Sequence, residues 1–416
     1  MKRILLVFCM LLVGVTSAAA VGSQDFTGVL DGAPYKIRVP GNWNGVLLLY
    51  AHWYYLGPPP PEAEAAPGGM EDFLLSHGYA LAGSSFRGSG WQVKEGTRDL
   101  IALSGLFDDL VGKPARRFLV GYSMGSVIAL KSAEEVPLYD GAIPMCSIAG
   151  TVSGAVARET AFAFAYATAF GWPTEWGTWY DARDGLGFFG EVYGPVLAQL
   201  MDPANFGKFE FIRLLVELPF DGFYYAPPPG LPAVVFLMAA TTEGKAEFET
   251  RAKGYVYENH DHLYSLTQAE KDYLFSLGVD ADWLLESMNA GANISAGKPQ
   301  RRYLEKYFDP TGDLRMPVLT VHSIKDHWYP AHFESRILEK VQAESREDLL
   351  LQVYTDDFGH CTFTPDQLLA AIKAMESWLR TGVKPDPDPE TSVFFPGSKG
   401  FVIPDPELLV WPIGKK

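Results

Sequence analysis

The chain has 416 residues, of which 48% are hydrophobic and 20% charged, a balance that is typical of a globular protein and excludes a disordered one. Its formal net charge of -16 excludes the basic surface of nucleic-acid-binding proteins, so we predict no nucleic-acid partner. An acidic surface also disfavours anionic polymers and membranes as partners.

The first twenty residues have the pattern of a secretory signal peptide. Lys2 and Arg3 precede an apolar run at 4–15, and small residues follow at 16–20. The apolar run is shorter than the ~20 residues that a membrane span requires. We therefore predict that residues 1–20 form a signal peptide, that the mature protein is secreted to the periplasm or the medium, and that it is not stably inserted in a membrane.

The next part of the chain alternates predicted strands and helices. Apolar and polar residues alternate over 26–39 around Asp31-Gly32, which predicts a β-hairpin. Short apolar runs then predict strands, and helical periodicity predicts helices. The predicted strands are 45–52, 79–84, 117–121 and 141–147, and the predicted helices are 70–77, 94–111 and 124–135. This alternation is typical of an α/β fold with a mostly parallel sheet.

The alternation stops between residues 154 and 313 and then resumes. Within this stretch, Thr267 and Glu270 have the spacing of a helix capping box. We therefore predict an inserted, mainly helical cap at 154–313 rather than a second independent domain. The core then comprises 21–153 and 314–383, and an extended tail follows at 384–416. The resumed elements are strands at 317–323 and 349–354 and helices at 331–341 and 365–380.

The sequence Gly121-Tyr122-Ser123-Met124-Gly125 lies between a predicted strand and a predicted helix. A G-x-S-x-G motif in this context predicts a sharp turn that raises a nucleophilic serine above the sheet. The helix N-terminus beneath the turn supplies a positive dipole, and the amide of Met124 is placed to stabilise an oxyanion. We therefore predict Ser123 as a catalytic nucleophile.

A serine hydroxyl becomes an effective nucleophile when a histidine takes its proton, and an acidic side chain orients that histidine. His360 follows the last predicted core strand, and Asp326 follows the strand that resumes after the predicted cap. Asp356 and Asp357 are weaker candidates because they lie too close in sequence to His360 to reach its far nitrogen. The predicted catalytic residues are therefore Ser123, Asp326 and His360.

With these residues in this order, the chain resembles the α/β-hydrolase superfamily over roughly residues 26–150 and 314–382. The resemblance implies the α/β-hydrolase fold, with a mostly parallel central sheet, and a reaction that needs no cofactor and no metal. It also implies a second oxyanion donor in the loop after an early strand. Many relatives have a His-Gly pair there, whereas this chain has His52 followed by Trp53 and Tyr54, so the amide of Trp53 or Tyr54 is the predicted donor.

The predicted mature chain keeps two cysteines, Cys146 and Cys361. Cys361 follows His360, and Cys146 ends a predicted strand whose carboxyl end faces the same site. A disulfide between them would tether the loop of His360, and two unrelated buried thiols are the alternative. Tannase-like and feruloyl-esterase-like hydrolases also pair a cysteine beside the histidine. Their partner cysteine adjoins the serine, however, where this chain has Tyr122.

We predict that the protein hydrolyses a small-molecule carboxylic ester, apolar or aromatic, through an acyl-enzyme. A proline-type aminopeptidase or amidase is the first alternative, although no tight acidic pair stands out among Glu175, Glu191 and Glu210. A non-catalytic binding protein is the second, although such proteins usually lose a catalytic residue. The predicted cap is strongly aromatic, and we expect most of its aromatic residues to form its core and a few to line the cleft. The set is Trp172, Trp176, Trp179, Tyr180, Phe188, Phe189, Tyr193, Phe223, Tyr224 and Tyr225.

Overall fold

The structure is a computed structural model that describes residues 23–57, 61–148, 152–226 and 231–410. The predicted signal peptide at 1–20 and the last six residues of the predicted tail, 411–416, lie outside the described residues. Within the described ranges, no helix is both long enough and apolar enough to cross a bilayer.

A mixed sheet of nine strands forms the centre of the described part of the molecule, and two further strands form a separate small hairpin. The strands are β1 (Gln24–Leu30), β2 (Ala33–Val39), β3 (Val46–Ala51), β4 (Ala80–Ser84), β5 (Arg116–Tyr122), β6 (Gly141–Met145), β7 (Gly177–Thr178), β8 (Asp181–Ala182), β9 (Val318–Ser323), β10 (Leu350–Thr355) and β11 (Phe401–Val402). The order in the large sheet is β1-β2-β4-β3-β5-β6-β9-β10-β11. Every pair from β4 to β10 is parallel, which confirms the predicted mostly parallel sheet.

The hairpin of β1 and β2 turns at the predicted place. Asp31 and Gly32 both have positive φ angles, 51° and 87°, and Leu30 pairs with Ala33 across the turn. Two central residues with positive φ match the twist of the flanking strands, and this is why Asp-Gly is favoured there.

Helices cover both faces of the sheet and form most of the insertion between its strands. They are α1 (Glu71–Ser76), α2 (Val93–Leu110), α3 (Met124–Glu135), α4 (Val152–Phe170), α5 (Tyr193–Met201), α6 (Phe206–Leu215), α7 (Phe220–Tyr224), α8 (Ala233–Ala239), α9 (Lys245–Ala252), α10 (Gln268–Ser276), α11 (Ala281–Gly291), α12 (Lys298–Tyr307), α13 (His332–Ala343) and α14 (Pro365–Thr381). Helices α2, α3 and α13 pack against one face of the sheet, and α1 and α14 pack against the other.

Alternation along the strands produces these two layers. In β3, Leu47 and Leu49 belong to the core beneath α2 and α3, whereas Leu48 and Tyr50 belong to the core beneath α1 and α14. Successive side chains of a strand point to opposite faces, so a strand covered on both sides is apolar at every position. All six residues of β3 are buried, as this arrangement requires.

Strands β6 and β9 are neighbours in the sheet, although residues 146–317 separate them in sequence. We call this stretch the inserted segment. It contains α4 to α12 and has an apolar core of its own. The predicted capping box is present at the start of α10, where Thr267 and Glu270 bond each other's backbone amides. Strands β1 to β6 with β9 and β10, joined by helices on both faces, form the α/β-hydrolase fold.

The predicted tail runs along the edge of the sheet. Its strand β11 pairs antiparallel with β10, with Tyr354 opposite Val402. Sequence patterning gave no sign of this strand, because it is only two residues long.

Candidate active site

The site begins at the sharp turn between β5 and α3. Ser123 has a φ of 52° and stands between the last residue of β5 and the first residue of α3. A Cβ atom at Gly121 would lie 2.0 Å from the carbonyl oxygen of Gly125, and one at Gly125 would lie 1.9 Å from the carbonyl oxygen of Ala51. The backbone approaches too closely for any side chain at these two positions, so the turn requires both glycines.

The structure brings the three predicted catalytic residues together at the carboxyl ends of the strands. Nε2 of His360 lies 2.8 Å from Oγ of Ser123, and Nδ1 of His360 lies 2.6 Å from Oδ2 of Asp326. Two hydrogen bonds therefore connect Ser123, His360 and Asp326 in one line, although Ser123 and His360 are 237 positions apart in the chain. Their catalytic roles stay a prediction.

Two backbone amides, in addition to His360, hold the carboxylate of Asp326 in place. It is 3% exposed, and its Oδ1 accepts hydrogen bonds from the backbone N–H groups of Trp328 at 2.9 Å and Tyr329 at 3.0 Å. Burial opposes ionisation, but contacts with His360, His322 and the Tyr329 amide bring the pKa of Asp326 below its ordinary value. The carboxylate is therefore ionised at neutral pH and directs one oxygen at His360.

A second histidine and a second acid lie behind Asp326, and the sequence did not indicate either of them. His322 near the end of β9 and Glu334 in α13 are both fully buried. Oε2 of Glu334 accepts hydrogen bonds from Oγ1 of Thr320 at 2.5 Å and from Nε2 of Gln352 at 2.8 Å. These partners fix the carboxyl group of Glu334 against the ring of His322.

Arg158 of α4 connects the inserted segment to the loop that follows Asp326. Its buried guanidinium donates to the carbonyl oxygen of Trp328 and lies 5.3 Å from the ring centre of Tyr329. Sequence reasoning missed this residue because 170 positions separate it from its partner.

The structure contains the disulfide between Cys146 and Cys361, so the alternative of two unrelated thiols does not hold. The two Cα atoms are 5.1 Å apart, and the bond spans 215 positions of sequence. Cys146 directly follows β6, and Cys361 directly follows His360. The bond therefore ties the loop of His360 to the central sheet.

The predicted oxyanion donors lie beside Ser123. Met124 is the first residue of α3, and Trp53 and Tyr54 follow β3 and line the same cavity as Ser123. His52 fixes this loop, because its Nδ1 lies 2.6 Å from the carbonyl oxygen of Trp53 and its ring stacks on Phe86. Burial lowers the pKa of His52 to about 4, which keeps the ring neutral. The roles of the three amides stay a prediction.

Ser123 and His360 open into a cavity of about 510 Å³. Trp328 forms part of its wall, stacked on His360 with ring centres 4.9 Å apart and on Phe236 of α8 at 4.0 Å. No acidic side chain is among the described residues that line it. The aromatic lining residues are Trp53, Tyr54, Tyr55, Trp91, Tyr122, Phe236, Trp328, Tyr329 and Phe363.

The expectation that a few of the ten aromatic residues of the predicted cap line the cleft was wrong. None of the ten named residues lines this cavity; the inserted segment contributes Phe236, Ala239, Ala240 and Gly244 instead. Most of the ten pack into or against the inserted segment's own core. A segment of this length must bury its own apolar surface, which uses the large side chains that were expected at the site.

No family model matches the sequence, but individual known proteins are similar to it, among them an amidase, a peptidase and an esterase. An o-phthalyl amidase from Xanthobacter agilis is 22% identical over 440 residues, covering 88% of this chain and 90% of that protein. An acylaminoacyl peptidase from Pyrococcus horikoshii has a TM-score of 0.44 at 10% identity, covering 88% of this chain; the chain spans only 42% of that protein's length. Feruloyl esterase B from Aspergillus oryzae has a TM-score of 0.43 at 13% identity, covering 88% of this chain and 82% of that protein.

Proposed function

We propose that this protein is a secreted serine hydrolase that cleaves carboxylic esters through an acyl-enzyme intermediate. The observation that carries the proposal is the continuous line of hydrogen bonds from Ser123 through His360 to Asp326. Because Nδ1 of His360 donates to Asp326, Nε2 keeps a lone pair directed at the serine hydroxyl. A serine at hydrogen-bond distance from such a base is an activated nucleophile.

In the proposed reaction, Oγ of Ser123 attacks the acyl carbonyl while its proton passes to Nε2 of His360. Asp326 stabilises the imidazolium that forms, and the amides of Met124 and of Trp53 or Tyr54 donate to the oxyanion. His360 then gives its proton to the leaving alcohol, which departs and leaves the acyl group on Ser123. A water molecule deprotonated by His360 attacks this acyl group and releases the acid.

The lining of the cavity supports a small-molecule substrate with an apolar or aromatic acyl group. Aromatic side chains line the cavity beside Ser123, and its volume of about 510 Å³ suits a small molecule. The lack of an acidic lining group among the described residues counts against an aminopeptidase, which must hold a free amine. We also propose that the inserted segment acts as a cap, since Phe236 and its neighbours close one side of the cavity.

Export is supported by the signal-peptide pattern of residues 1–20 and by the disulfide between Cys146 and Cys361. Disulfides persist in oxidising compartments and are rare in the cytosol.

Amide hydrolysis is the second candidate, because the chain is similar to an o-phthalyl amidase over most of its length. Amides and esters share the acyl-enzyme route. They differ in the leaving group, because an amine must receive its proton from His360 before it can depart.

The test is turnover of nitrophenyl esters from acetate to decanoate, beside nitroanilides of the same acyl groups and of proline. The mature protein is compared with its Ser123→Ala variant, which we expect to lose at least ~1,000-fold in kcat/KM while keeping the same Tm. Matched ester and anilide pairs then decide between the two candidates.

Turnover of anilides at rates close to those of the esters would move the assignment to an amidase. Turnover that survives in Ser123→Ala would contradict the proposed nucleophile. A folded protein that turns over none of these compounds and still binds them would favour the binding-protein alternative.

A further inference from the structure

A small pocket adjoins the main cavity on the side of the inserted segment. Its volume of about 20 Å³ accommodates one water-sized group. It shares four lining residues with the main cavity: Trp91, Ala240, Gly244 and Tyr329. These shared walls place the small pocket next to the space beside Ser123.

The carboxyl group of Glu159 in α4 is the unusual feature of this pocket. Glu159 is 7% exposed, lines the pocket, and makes no side-chain hydrogen bond within the described residues. Tyr257, another lining residue, has a buried hydroxyl group that also has no partner in the described part of the chain. Glu159 and Tyr257 thus line one pocket with polar groups that have no hydrogen-bond partner among the described residues, and a polar group of a ligand there would supply one.

The two cations near Glu159 make their hydrogen bonds to other groups. Arg158 donates through Nη2 to the carbonyl oxygen of Trp328, whereas its Nε and Nη1 have no partner within the described residues, and Lys245 donates to Glu249. Both still act on Glu159 through their charge, but burial outweighs them and raises the pKa of Glu159 to about 7. Near neutral pH the carboxyl group therefore exists both with and without its proton.

A hydroxyl group is the ligand group that can form hydrogen bonds with the side chains lining this pocket. It donates its proton to the ionised carboxylate of Glu159, and its oxygen accepts from the protonated form. A hydroxyl group is also the size of the one water molecule for which the pocket has room.

We propose that this pocket is a specificity subsite that receives a hydroxyl group at the far end of an aromatic acyl group. The inference rests on the proposed function, since it assumes that the acyl group lies in the cavity beside Ser123. It assigns Glu159 as the group that recognises the hydroxyl and the aromatic walls of the main cavity as the surface that holds the ring.

The test uses nitrophenyl esters of phenylacetate, phenylpropanoate and phenylbutanoate, each with and without a para hydroxyl group. At one of these lengths the hydroxyl group should raise kcat/KM of the native enzyme by about tenfold or more, because a site built for a hydroxyl rejects the analogue that lacks it. In Glu159→Leu this advantage should disappear, while turnover of the ester without the hydroxyl group is kept.

Two further variants control the result. Glu159→Gln keeps the shape and an acceptor oxygen, so it should retain part of the advantage even if Glu159→Leu folds poorly. Thr160→Val removes a buried hydroxyl from the next position of α4, outside the pocket, and should keep the whole advantage. The proposal is wrong if no length shows an advantage, or if the advantage persists in Glu159→Leu.

A binding measurement separates this inference from the proposed function. The free acids of the same series are titrated into Ser123→Ala and followed by tryptophan fluorescence, with tighter binding of the hydroxylated acid expected at the favoured length. Such binding without any ester turnover in the native protein would overturn the proposed function and leave the subsite standing. Ester turnover with equal binding of both acids would support the proposed function and overturn the subsite.

Discussion

Nδ1 of His322 lies 3.5 Å from Oε1 of Glu334, with both side chains completely buried. Nε2 of the same ring lies 2.8 Å from the carbonyl oxygen of Tyr329, which can only accept, so Nε2 carries a proton. Burial opposes the charged ring, but contacts with Glu334 and Asp326 raise the pKa of His322. The ring lies 3.9 Å from Oδ2 of Asp326, so a proton taken up by His322 stabilises the carboxylate of Asp326.

Glu334→Gln should move the acid limb of kcat/KM to higher pH by roughly half a unit or more. Without the carboxylate, His322 loses a contact that raises its pKa, so it carries less of the positive charge that stabilises the carboxylate of Asp326. The pKa of Asp326, which His322 helps to lower, then rises, so activity is lost earlier as the pH falls. The measurement is the pH profile of ester turnover; His322→Gln should shift it in the same direction. A profile identical to that of the native enzyme would contradict this assignment.

Asp326→Asn should reduce kcat/KM by roughly 1,000- to 10,000-fold with little change in KM. The backbone amides of Trp328 and Tyr329 donate to Oδ1 of Asp326, so in the variant the amide oxygen of the asparagine side chain takes the place of Oδ1. Its NH₂ group then faces Nδ1 of His360, which must accept, and the ring proton moves to the nitrogen that faces Ser123. The base can no longer take the serine proton.

Asp357→Asn is the matched control for that change. Asp357 lies three positions before His360, and its carboxylate accepts from Nε2 of Gln367 instead of from the histidine. We expect kcat/KM to stay within about threefold of the native value. A large loss of kcat/KM in Asp357→Asn with a small loss in Asp326→Asn would show that Asp357, and not Asp326, orients His360.

Replacing Cys146 and Cys361 together by alanine should lower the free energy of unfolding by about 2–5 kcal/mol, because the bond closes a loop of 215 positions in the unfolded chain. The loop of His360 also loses its tether to the sheet, so kcat should fall. Denaturant unfolding and ester turnover measure the two effects. Native protein treated with a reductant should show the same changes, and an unchanged Tm after verified reduction would argue against them.

His52 should make the protein less stable in mild acid. Its pKa is about 4 in the folded protein, below the ordinary value of 6.5, because burial disfavours the charged ring. The resulting stability is complete above pH 6.5 and is lost as the pH falls from there towards 4, by about 3 kcal/mol in all.

The measurement for His52 is urea unfolding between pH 7.5 and pH 4.5, on the native protein and on His52→Phe. The variant keeps an aromatic ring against Phe86 and cannot take up a proton. Its free energy of unfolding should therefore fall less steeply with pH than that of the native protein. Parallel curves for the two proteins would show that His52 does not titrate in this way.

Phe236→Ala should shift the preferred acyl group towards longer chains, changing the decanoate-to-butyrate ratio of kcat/KM by roughly tenfold. The ring of Phe236 stacks on Trp328 at 4.0 Å and fills part of the cavity wall, so its removal lengthens the space available to the acyl group. Phe189→Ala serves as the control, because Phe189 is 58% exposed and lies in the same inserted segment outside the cavity. An unchanged chain-length profile in Phe236→Ala would place the acyl group elsewhere.

The sequence by itself determined the α/β fold and the positions of Ser123, Asp326 and His360. These follow from local patterns: an apolar run marks each buried strand, two glycines mark the turn at Ser123, and the predicted acid and base lie within five positions of the ends of identifiable strands. The predicted strand at 349–354, for example, is Leu350–Thr355 in the structure.

Only the tertiary structure decided what surrounds these residues. Helix packing between distant parts of the chain produces the contact of His322 with Glu334 and that of Arg158 with Trp328. It also places the carboxyl group of Glu159 in the small pocket. The same packing places most of the aromatic residues that were considered for the cleft in the inserted segment's own core, whereas Phe236 lines the cavity. Composition gives the number of apolar side chains available, but which of them face the cavity depends on how the helices pack, and that is a property of the whole fold.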